Sequence, residues 1–539
     1  MRERENGHPP SAARAGGFFA RPAILCAAIM AVTLLVRLPL LNIPLERDEG
    51  EYAYIGWRMG MHELPYRDWV DQKPPGIFWV YRLALELPLE PVRAIHLTGA
   101  LVAAASAGAL FVLARRFLGM FWAGAAGVTL GLLSADLTVQ GNAANTEIFM
   151  ELPLILSLLA LFRAATGGAN RVGFMVLCGA LVGIASLFKQ VAAVHWIFLV
   201  LAFPMLCPEK RKSLAFAAWS AGGAVAVWGV VMVYFRLENG WNDFIYNVFL
   251  HNLAYIGALT PADRLANLKD AVADLSKSQA VIWLFSIVGG AVLLLRREMK
   301  WFLFLLLWMV TAAVGVNASG YFFPHYFQAL LPVVSLAAAI GASGLDSASC
   351  WDGVPAWCRR AALVLALVML PGVAMWPFLF RLTPREAVSR IYPNNSFAEM
   401  PELGRRLAEV TRPEDRVFVF GSEPELLFYA RRASATRYII LFPLFGPYAD
   451  AREKQVATSL EITRARPAAA LNLPNRLFYL PGAEAYLRDW SSDYLHRYFQ
   501  VDRWLVVDAA GTHHVQPVTN GAAAPPKVVG ELLVRRGVP

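Results

Sequence analysis

Long apolar runs dominate the first 380 positions of the chain. Runs of the roughly 20 apolar residues that a membrane-spanning helix needs recur along this stretch, beginning with Ile24 to Ile43. No small-residue cleavage site follows the first run, so we interpret it as a retained helix and not as a signal peptide. By length we count about eleven runs, centred near residues 32, 103, 128, 155, 179, 198, 224, 286, 308, 332 and 370. The pattern predicts a polytopic α-helical membrane protein.

Compact clusters of Lys and Arg between the runs predict the orientation, because such clusters favour the cytoplasmic side. With the arginine-bearing N-terminus in the cytoplasm, alternate crossing puts every cluster there: Arg115–Arg116, Arg163 with Arg171, Lys210–Arg211–Lys212, Arg296–Arg297 with Lys300, and Arg359–Arg360. The same alternation exports the segments 42–91, 137–147, 236–278 and 317–321. An odd number of spans places the tail outside the cytoplasm as well.

The tail has the pattern of a soluble α/β domain. DRVFVFG, SEPELLFYARR and TRYIILFPL predict a strand, a helix capped by Ser422 and a second strand. PAAALNLP and YFQVDRWLVVDAAGTHHVQ predict further strands, and NGAAAPP predicts a flexible connector. We therefore predict a transmembrane catalytic domain over residues 1–381, with a first exported loop over 42–91, and an extracytoplasmic α/β domain over 382–539.

Composition agrees with a membrane location. Charged residues make up only 17% of the chain and hydrophobic residues 57%, whereas soluble domains are about 25% charged. The net charge of +9 comes from clusters beside apolar runs, so topology explains it better than nucleic-acid binding does. The five cysteines show neither a disulfide framework nor a zinc spacing. The sequence also lacks a glycine-rich phosphate loop, which argues against a nucleotide substrate.

The first exported segment carries the most concentrated chemistry. Asp48, Glu49 and Glu51 follow the first apolar run directly, and Lys73 stands before a Pro-Pro turn. Carboxylates favour helix N-termini, so one interpretation is that Asp48 and Glu49 merely open an amphipathic helix lying in the interface. The other interpretation is a site at the membrane surface, where ionisable groups are commonly functional.

Three further stretches place polar residues at the same predicted interface. Asn145 and Glu147 crowd the outward end of the fourth span, and Lys189 lies between the fifth and sixth. His325 lies one turn inside an aromatic helix start. Each has a structural alternative: the asparagine can cap its helix, the lysine can extend towards water, and the histidine can be an ordinary interface residue like Tyr326. Convergence of four segments favours a site for a substrate with a lipid tail and an anionic head.

Four motifs in this order resemble one enzyme family. RDEGEYAYIGWRMGMHELPYRDWVDQKPPGIFWVY, NAANTEIFMELP, LFKQ and GYFFPHYFQALLP are similar to the bacterial dolichyl-phosphate-mannose-protein mannosyltransferase-like glycosyltransferases. The resemblance extends over essentially the whole chain, including RVFVFGSEPELLFYARR in the tail. It implies the C-type glycosyltransferase membrane fold. It also implies transfer of a hexosyl or pentosyl group from a polyprenyl-phosphate carrier to a glycan, lipid or protein acceptor.

The resemblance further implies roles for single residues. Asp48 matches the family's catalytic acidic residue, and Glu49 matches its neighbour that helps to hold the acceptor. Lys73 matches a lysine placed near the lipid phosphate, and Lys189 resembles a second one. The aminoarabinose transferases of this superfamily have Glu before the Lys-Pro-Pro sequence, where this chain has Gln72. This departure argues against aminoarabinose transfer and against a metal site borrowed from those enzymes.

The residue types support the same chemistry independently. A carboxylate can take the proton of an acceptor hydroxyl that attacks the anomeric carbon, while lysines stabilise the departing phosphate. We expect Asp48 to be this base. The other candidates divide into an acceptor or supporting group, Glu49, Glu51, Glu147 and Asn145, and a donor-phosphate group, Lys73, Lys189 and His325.

Several consequences follow for cofactors, location and alternatives. The reaction requires no cofactor beyond the lipid-linked donor, and a divalent cation stays an open alternative. The predicted location is the bacterial inner membrane, with the site and the tail in the periplasm. A transporter or flippase of a lipid-linked sugar is the alternative function. It is disfavoured because the sequence shows no internal repeat and its polar residues gather at one interface.

Overall fold

The described part of the chain covers nearly all of both predicted domains. The computed structural model describes residues 22–168, 170–256, 259–446, 448–474, 483–509, 511–518 and 524–537. The N-terminal arginines and most of the predicted NGAAAPP connector lie outside the described residues.

Apolar α-helices form the membrane part, as the hydropathy pattern predicts. Within the described residues, eight are long and apolar enough to cross a membrane: α1 (Pro22–Arg37, continued by a 3₁₀ turn to Asn42), α4 (Pro91–Ala114), α6 (Thr146–Thr166), α9 (Lys210–Leu237), α12 (Pro261–Leu295), α13 (Met299–Asn317), α14 (Leu331–Asp346, preceded by the 3₁₀ segment Pro324–Leu330) and α15 (Ala356–Phe380). Three apolar helices are shorter: α5 (Met120–Leu133), α7 (Arg171–Ser186) and α8 (Val194–Leu206). Each predicted centre lies inside one of these helices, while the count of eleven spans stays a prediction.

Small residues allow these helices to pack closely. A Cβ atom on Gly179 of α7 would lie 1.6 Å from the carbonyl oxygen of Ser220 in α9. Likewise, a Cβ atom on Gly289 of α12 would lie 2.0 Å from the carbonyl oxygen of Ala337 in α14. Such close backbone approach at glycine is typical of helix packing in membranes, where dispersion contacts replace the hydrophobic effect.

Two short helices follow α1, and the first of them is the helix that Asp48 and Glu49 were expected to open. They are α2 (Arg47–Met59) and α3 (Gly76–Ala84), and the loop between them carries Lys73. A second group of short elements lies between α9 and α12: α10 (Trp241–Ile245), the π-helix Tyr246–Leu250 and α11 (His251–Ile256). The predicted exported segment 236–278 is therefore largely helical, and α12 begins within it at Pro261.

The tail contains a six-stranded mixed sheet. Its strands are β1 (Arg416–Phe420), β2 (Ala433–Ser434), β3 (Ala469–Asn472), β4 (Phe499–Val507), β5 (His513–Pro517) and β6 (Val528–Arg535), in the order β2-β1-β3-β6-β4-β5. Strand β1 runs parallel to β2 and β3, and the remaining pairs are antiparallel. The accompanying helices are α16 (Pro384–Ile391), α17 (Met400–Val410), α18 (Pro424–Ala430), α19 (Ala451–Ala465) and α20 (Tyr486–Tyr498).

The predicted βαβ unit is present, with two corrections. The second strand is Ala433–Ser434, and the predicted stretch 436–444 carries only the 3₁₀ turn Phe442–Leu444. Ser422 does not cap α18: Glu423 occupies the N-cap position, and the Ser422 hydroxyl is buried without a hydrogen-bond partner among the described residues. The strand β6, which closes the pairing between β3 and β4, is not anticipated by the sequence pattern.

The sheet and the membrane-side helices share one apolar core. Tyr52 of α2 and Ile77 of α3 belong to the same buried cluster as Val417 of β1. A Cβ atom on Gly50 would lie 2.4 Å from the Cβ atom of Glu425, so α2 and α18 touch where a larger residue would not fit. The domain boundary between residues 381 and 382 stays a prediction, because the apolar core is continuous across it.

Candidate active site

The N-terminus of α2 places Asp48 between two anchored neighbours. Glu46 caps the helix, since its carboxylate accepts hydrogen bonds from the backbone N–H of Asp48 at 3.1 Å and of Glu49 at 3.3 Å. Arg47 donates from Nε to the carbonyl oxygen of Ser422 at 2.5 Å and pairs with Glu423 at 3.2 Å. The tail and the helix cap together fix the direction in which Asp48 leaves the helix.

Lys73 lies among three carboxylates. Its Nζ atom is 3.3 Å from Glu51, 3.6 Å from Asp48 and 3.8 Å from Asp71, and it lies 4.9 Å from the ring centroid of Tyr52. The side chains of Glu51 and Asp71 are only 4% and 3% exposed, whereas that of Asp48 is 25% exposed. Asp48 is therefore the carboxylate of this group that a substrate can reach.

Hydrogen bonds from several segments fix the loop that carries Lys73. The hydroxyl of Tyr66 donates to the Lys73 carbonyl oxygen at 2.7 Å. The carbonyl oxygen of Gln72 accepts from the side-chain amides of Gln190 at 3.0 Å and Asn252 at 2.8 Å. The ammonium group is thus held by a framework that does not depend on its ion pairs.

Lys189 forms a second cationic point. Its Nζ atom is 2.5 Å from Glu147 Oε1, and it lies 3.3 Å from the ring centroid of Tyr326. The side chain of Glu147 is 1% exposed and also accepts a hydrogen bond from Thr146 at 2.9 Å. Lys189 therefore turns towards the protein, which argues against the alternative that it merely reaches for water.

His325 is held from the loop that precedes α6. Its Nδ1 atom lies 2.8 Å from Gln140 Oε1, and Gln140 adopts a left-handed backbone conformation at φ 52°. The electrostatic field at Asp48 contains contributions from Lys73, His325 and Lys189, so three other segments approach the N-terminus of α2. The structure thus brings together four residues that the sequence singles out: Asp48, Lys73, Lys189 and His325.

Burial and neighbouring charges shift the pKa values of the carboxyl groups that lie outside the membrane-spanning helices. Burial acts to raise the pKa of Asp48, but the positive charges of Lys73, His325, Arg47 and Lys189 together outweigh it, so the pKa lies below its usual value. Burial and the negative charge of Asp71 raise the pKa of Glu51 well above its usual value. Asp48 is therefore the carboxyl group of this cluster that these charges favour in its ionised, proton-accepting form.

Glu49 points away from this cluster. It is fully buried, accepts a hydrogen bond from the backbone N–H of Ala144 at 2.7 Å, and lies 2.9 Å from His96 Nε2. Its carboxylate ties α2 to the segment before α6, while direct contact between Glu49 and the acceptor stays a prediction. This position is compatible with the supporting role, which is the alternative to acceptor binding for Glu49.

Asn145 occupies the N-cap position of α6 without making a side-chain cap. Both polar atoms of its amide are buried and lack a hydrogen-bond partner within the described part of the chain. Buried polar groups are nearly always hydrogen-bonded, so an amide with both polar atoms unpaired by the described residues is a candidate contact for a substrate. Its position next to Glu147 keeps it a candidate at the acceptor side.

The arrangement offers little for a metal ion. Over the described ranges, no group of three or more His, Cys, Asp and Glu side chains is arranged to hold one. Lys73 lies among the three carboxylates that could have done so. The divalent cation that the sequence leaves as an open alternative has no such donor set among the described residues.

Sequence patterns missed some of the residues that shape the site. The cap residue Glu46 could have been found from its spacing of three residues to Glu49, which is the spacing of a capping box. Gln140 and Tyr326 support His325 and Lys189 through contacts between distant segments, for which no local pattern gives a signal.

Residues 72–235 match the sequence model of the dolichyl-phosphate-mannose-protein mannosyltransferase family. The family resemblance is confirmed. This matched stretch includes Lys73, Glu147 and Lys189, and it makes glycosyl transfer the general activity supported for this chain. No curated protein matches the chain by sequence.

Solved structures show the fold. The chain resembles ArnT from Cupriavidus metallidurans bound to undecaprenyl phosphate, with a TM-score of 0.56 and 17% identity over 93% of this chain and 99% of that one. It also resembles the oligosaccharyltransferase AglB from Archaeoglobus fulgidus in complex with an inhibitory peptide and a dolichol-phosphate, at 0.52 and 12% identity over 95% and 76%. The arabinofuranosyltransferase AftD from Mycobacteria matches at 0.51 and 14% identity over 94% of this chain and 39% of that one. The C-type glycosyltransferase fold of a polytopic helical membrane protein is thereby confirmed.

Proposed function

We propose that this protein transfers a sugar from a polyprenyl-phosphate carrier to a hydroxyl group of an acceptor, with Asp48 as the general base. The observation that carries the proposal is the position of Asp48. It is the exposed carboxylate in a cluster whose other carboxylates are buried, and two lysines and a histidine influence it from separate segments. A reaction that moves one proton and releases one phosphate needs these groups together.

The proposed step is a single displacement. The acceptor oxygen attacks the anomeric carbon of the donor sugar and forms the new glycosidic bond. The bond between the anomeric carbon and the carrier phosphate oxygen breaks, and the phosphate leaves with the electron pair. Asp48 takes the proton of the acceptor hydroxyl as its acidity rises in the transition state. Attack opposite to the leaving group inverts the anomeric configuration.

Lys73, Lys189 and His325 form the donor-phosphate side of the proposed site. An ammonium group stabilises the negative charge that grows on the departing phosphate, and this stabilisation is strong where water is partly excluded. Both lysines are about one-fifth exposed, so each can meet a phosphate oxygen without leaving its carboxylate partner. Glu51, Glu147 and Asn145 then support the lysines or the acceptor.

Two solved structures with this fold contain lipid phosphates that match the proposed donor. ArnT is bound to undecaprenyl phosphate, and AglB is in complex with a dolichol-phosphate. We infer a polyprenyl-phosphate-linked hexose or pentose as the donor and a glycan, lipid or protein as the acceptor. The basic clusters support our proposal that the site and the tail lie on the periplasmic face of the inner membrane and the N-terminus in the cytoplasm.

The test uses purified full-length protein, a radiolabelled polyprenyl-phosphate sugar and a membrane extract as acceptor source. We expect the label to move to the acceptor with inversion at the anomeric carbon, and Asp48→Asn to abolish the transfer. Asp68→Asn is the matched control, because Asp68 lies in the same exported segment and, among the described residues, its side-chain hydrogen bonds are to its neighbour Arg67 and the backbone N–H of Leu64. Unchanged transfer in Asp48→Asn would refute the assignment of the base. Movement of the labelled lipid across vesicles without transfer would favour the flippase alternative.

A further inference from the structure

We propose that a pocket beside the interface helices binds the phosphodiester headgroup of an anionic glycerophospholipid. The pocket is separate from the Asp48 cluster and has a volume of about 340 Å³. We call it the arginine pocket and define it by six of its lining residues, Trp57, Met61, Arg82, Leu85, Pro91 and Arg431. It lies where the end of α2, the end of α3, the start of α4 and the end of α18 meet.

Arg431 supplies the positive charge of the arginine pocket. Its guanidinium group lies 4.1 Å from the ring centroid of Phe428 and 5.4 Å from that of Trp57. Among the described residues it makes no hydrogen bond or ion pair with a side-chain carboxylate. Glu90, which acts on it electrostatically, is engaged as the N-cap of α4 through the backbone N–H of Arg93 at 3.0 Å. A guanidinium held between rings with free donors is suited to an oxyanion.

The charge balance of the pocket favours a single negative charge. Arg82 is neutralised by its ion pair with Glu86, one turn further along. Among the described residues that line the pocket, Arg431 therefore carries the positive charge that has no carboxylate partner, and Glu90 acts on it from outside the lining. A phosphodiester carries one negative charge, and a lipid without a balancing headgroup cation complements this site better than a zwitterionic lipid does.

The rim of the pocket fits the tails of the same molecule. Four large apolar side chains at the rim are exposed: Leu83 by 69%, Leu87 by 41%, Leu89 by 46% and Met61 by 51%. The three leucines lie within the eight residues before Pro91, where the membrane-spanning helix α4 begins. Large apolar side chains exposed at the end of a span lie at the level where headgroups meet acyl chains. The occupant therefore combines a phosphodiester with an apolar tail, and it is a lipid of the surrounding leaflet.

The experiment is native mass spectrometry of the full-length protein after reconstitution with phosphatidylglycerol or phosphatidylcholine. We expect wild-type protein to retain a phosphatidylglycerol molecule and Arg431→Gln to bind it about tenfold more weakly, which corresponds to losing one charge-assisted contact. Arg390→Gln is the control, because Arg390 also lies over an aromatic ring near the end of a span, 5.6 Å from the centroid of Phe378, but outside the pocket.

A second variant keeps the test independent of folding. Arg431 has a left-handed backbone conformation at φ 53°, which Lys and Gln tolerate as Arg does, so Arg431→Lys should keep most of the binding. Equal retention of the two lipids by wild-type protein would overturn the proposal. So would equal phosphatidylglycerol binding in Arg431→Gln and Arg390→Gln. Soluble glycerol phosphate that binds as tightly as the lipid would overturn the part played by the leucines.

Discussion

The ion pair of Lys189 and Glu147 offers a sharp test of the electrostatics of the site. Lys189→Met keeps an unbranched side chain but leaves the Glu147 carboxylate without its cation. That carboxylate is 1% exposed and 2.5 Å from Lys189 Nζ, and Thr146 is its remaining donor. Removing one partner of a buried pair costs about 3–5 kcal/mol, because the other charge stays buried without compensation. We expect this loss in Lys189→Met, and recovery of most of it in the double variant with Glu147→Gln.

The assay is unfolding in mixed micelles at pH 7 with a rising fraction of SDS, followed by tryptophan fluorescence and circular dichroism. The wild type, the two single variants and the double variant form a double-mutant cycle. Lys189 and Glu147 should show a coupling free energy of about 2 kcal/mol or more. Lys212→Met is the control, because the pair Lys212–Glu209 is solvent-exposed and contributes at most about 1 kcal/mol. A loss in Lys189→Met no larger than in Lys212→Met would refute the reasoning, as would additive effects in the cycle.

Three further changes test other contacts. Arg437→Met removes the guanidinium that binds the Tyr66 carbonyl oxygen in the loop that carries Lys73, so turnover should fall by about tenfold or more in the transfer assay. An unchanged rate would mean that the tail does not position this loop. Burial and neighbouring negative charges raise the pKa of Glu46 to about 8. Between about pH 4.5 and 8 the folded protein keeps a proton that the unfolded chain has lost, so the unfolding free energy declines as pH rises. In wild-type protein this decline is up to about 1.4 kcal/mol per pH unit, and Glu46→Gln should not show it. The same pH dependence of the unfolding free energy in both proteins would contradict this. Gly50→Ala, whose Cβ would meet Glu425, should lose about 1–3 kcal/mol, whereas Gly222→Ala, with open space around it, should not.

Helix geometry alone could have separated the carboxylates of the opening motif. Asp48 and Glu51 are three residues apart and share one face of α2, whereas Glu49 is turned by about 100° from Asp48. The observed partners follow this division, since Asp48 and Glu51 meet Lys73 and Glu49 meets His96. The sequence therefore predicts which of these carboxylates share a face of α2, once the helix is known to begin at Arg47.

Other parts of the account depend on contacts that no local pattern encodes. Gln140 reaches His325 across 185 positions, and Tyr54 on α2 accepts a hydrogen bond from Ser434 of β2 across 380. The apolar stretch 436–444 has strand-like composition, but β2 ends at Ser434 and the chain turns away from the sheet edge. Hydropathy, by contrast, located the apolar helices well, because the bilayer requires long apolar runs whatever the tertiary contacts.

The rate of a single turnover tests the role of Asp48 most directly. Enzyme in excess over a radiolabelled polyprenyl-phosphate sugar, mixed with acceptor, reports the transfer step, and equilibrium binding of the unglycosylated polyprenyl phosphate reports the phosphate side separately. We predict that Asp48→Asn slows transfer by about 10²–10⁴-fold, as expected for loss of a general base, while the dissociation constant changes by less than about threefold. Lys73→Met should instead weaken binding. A rate in Asp48→Asn within a few-fold of wild type, or a loss explained entirely by weaker binding, would contradict Asp48 as the base.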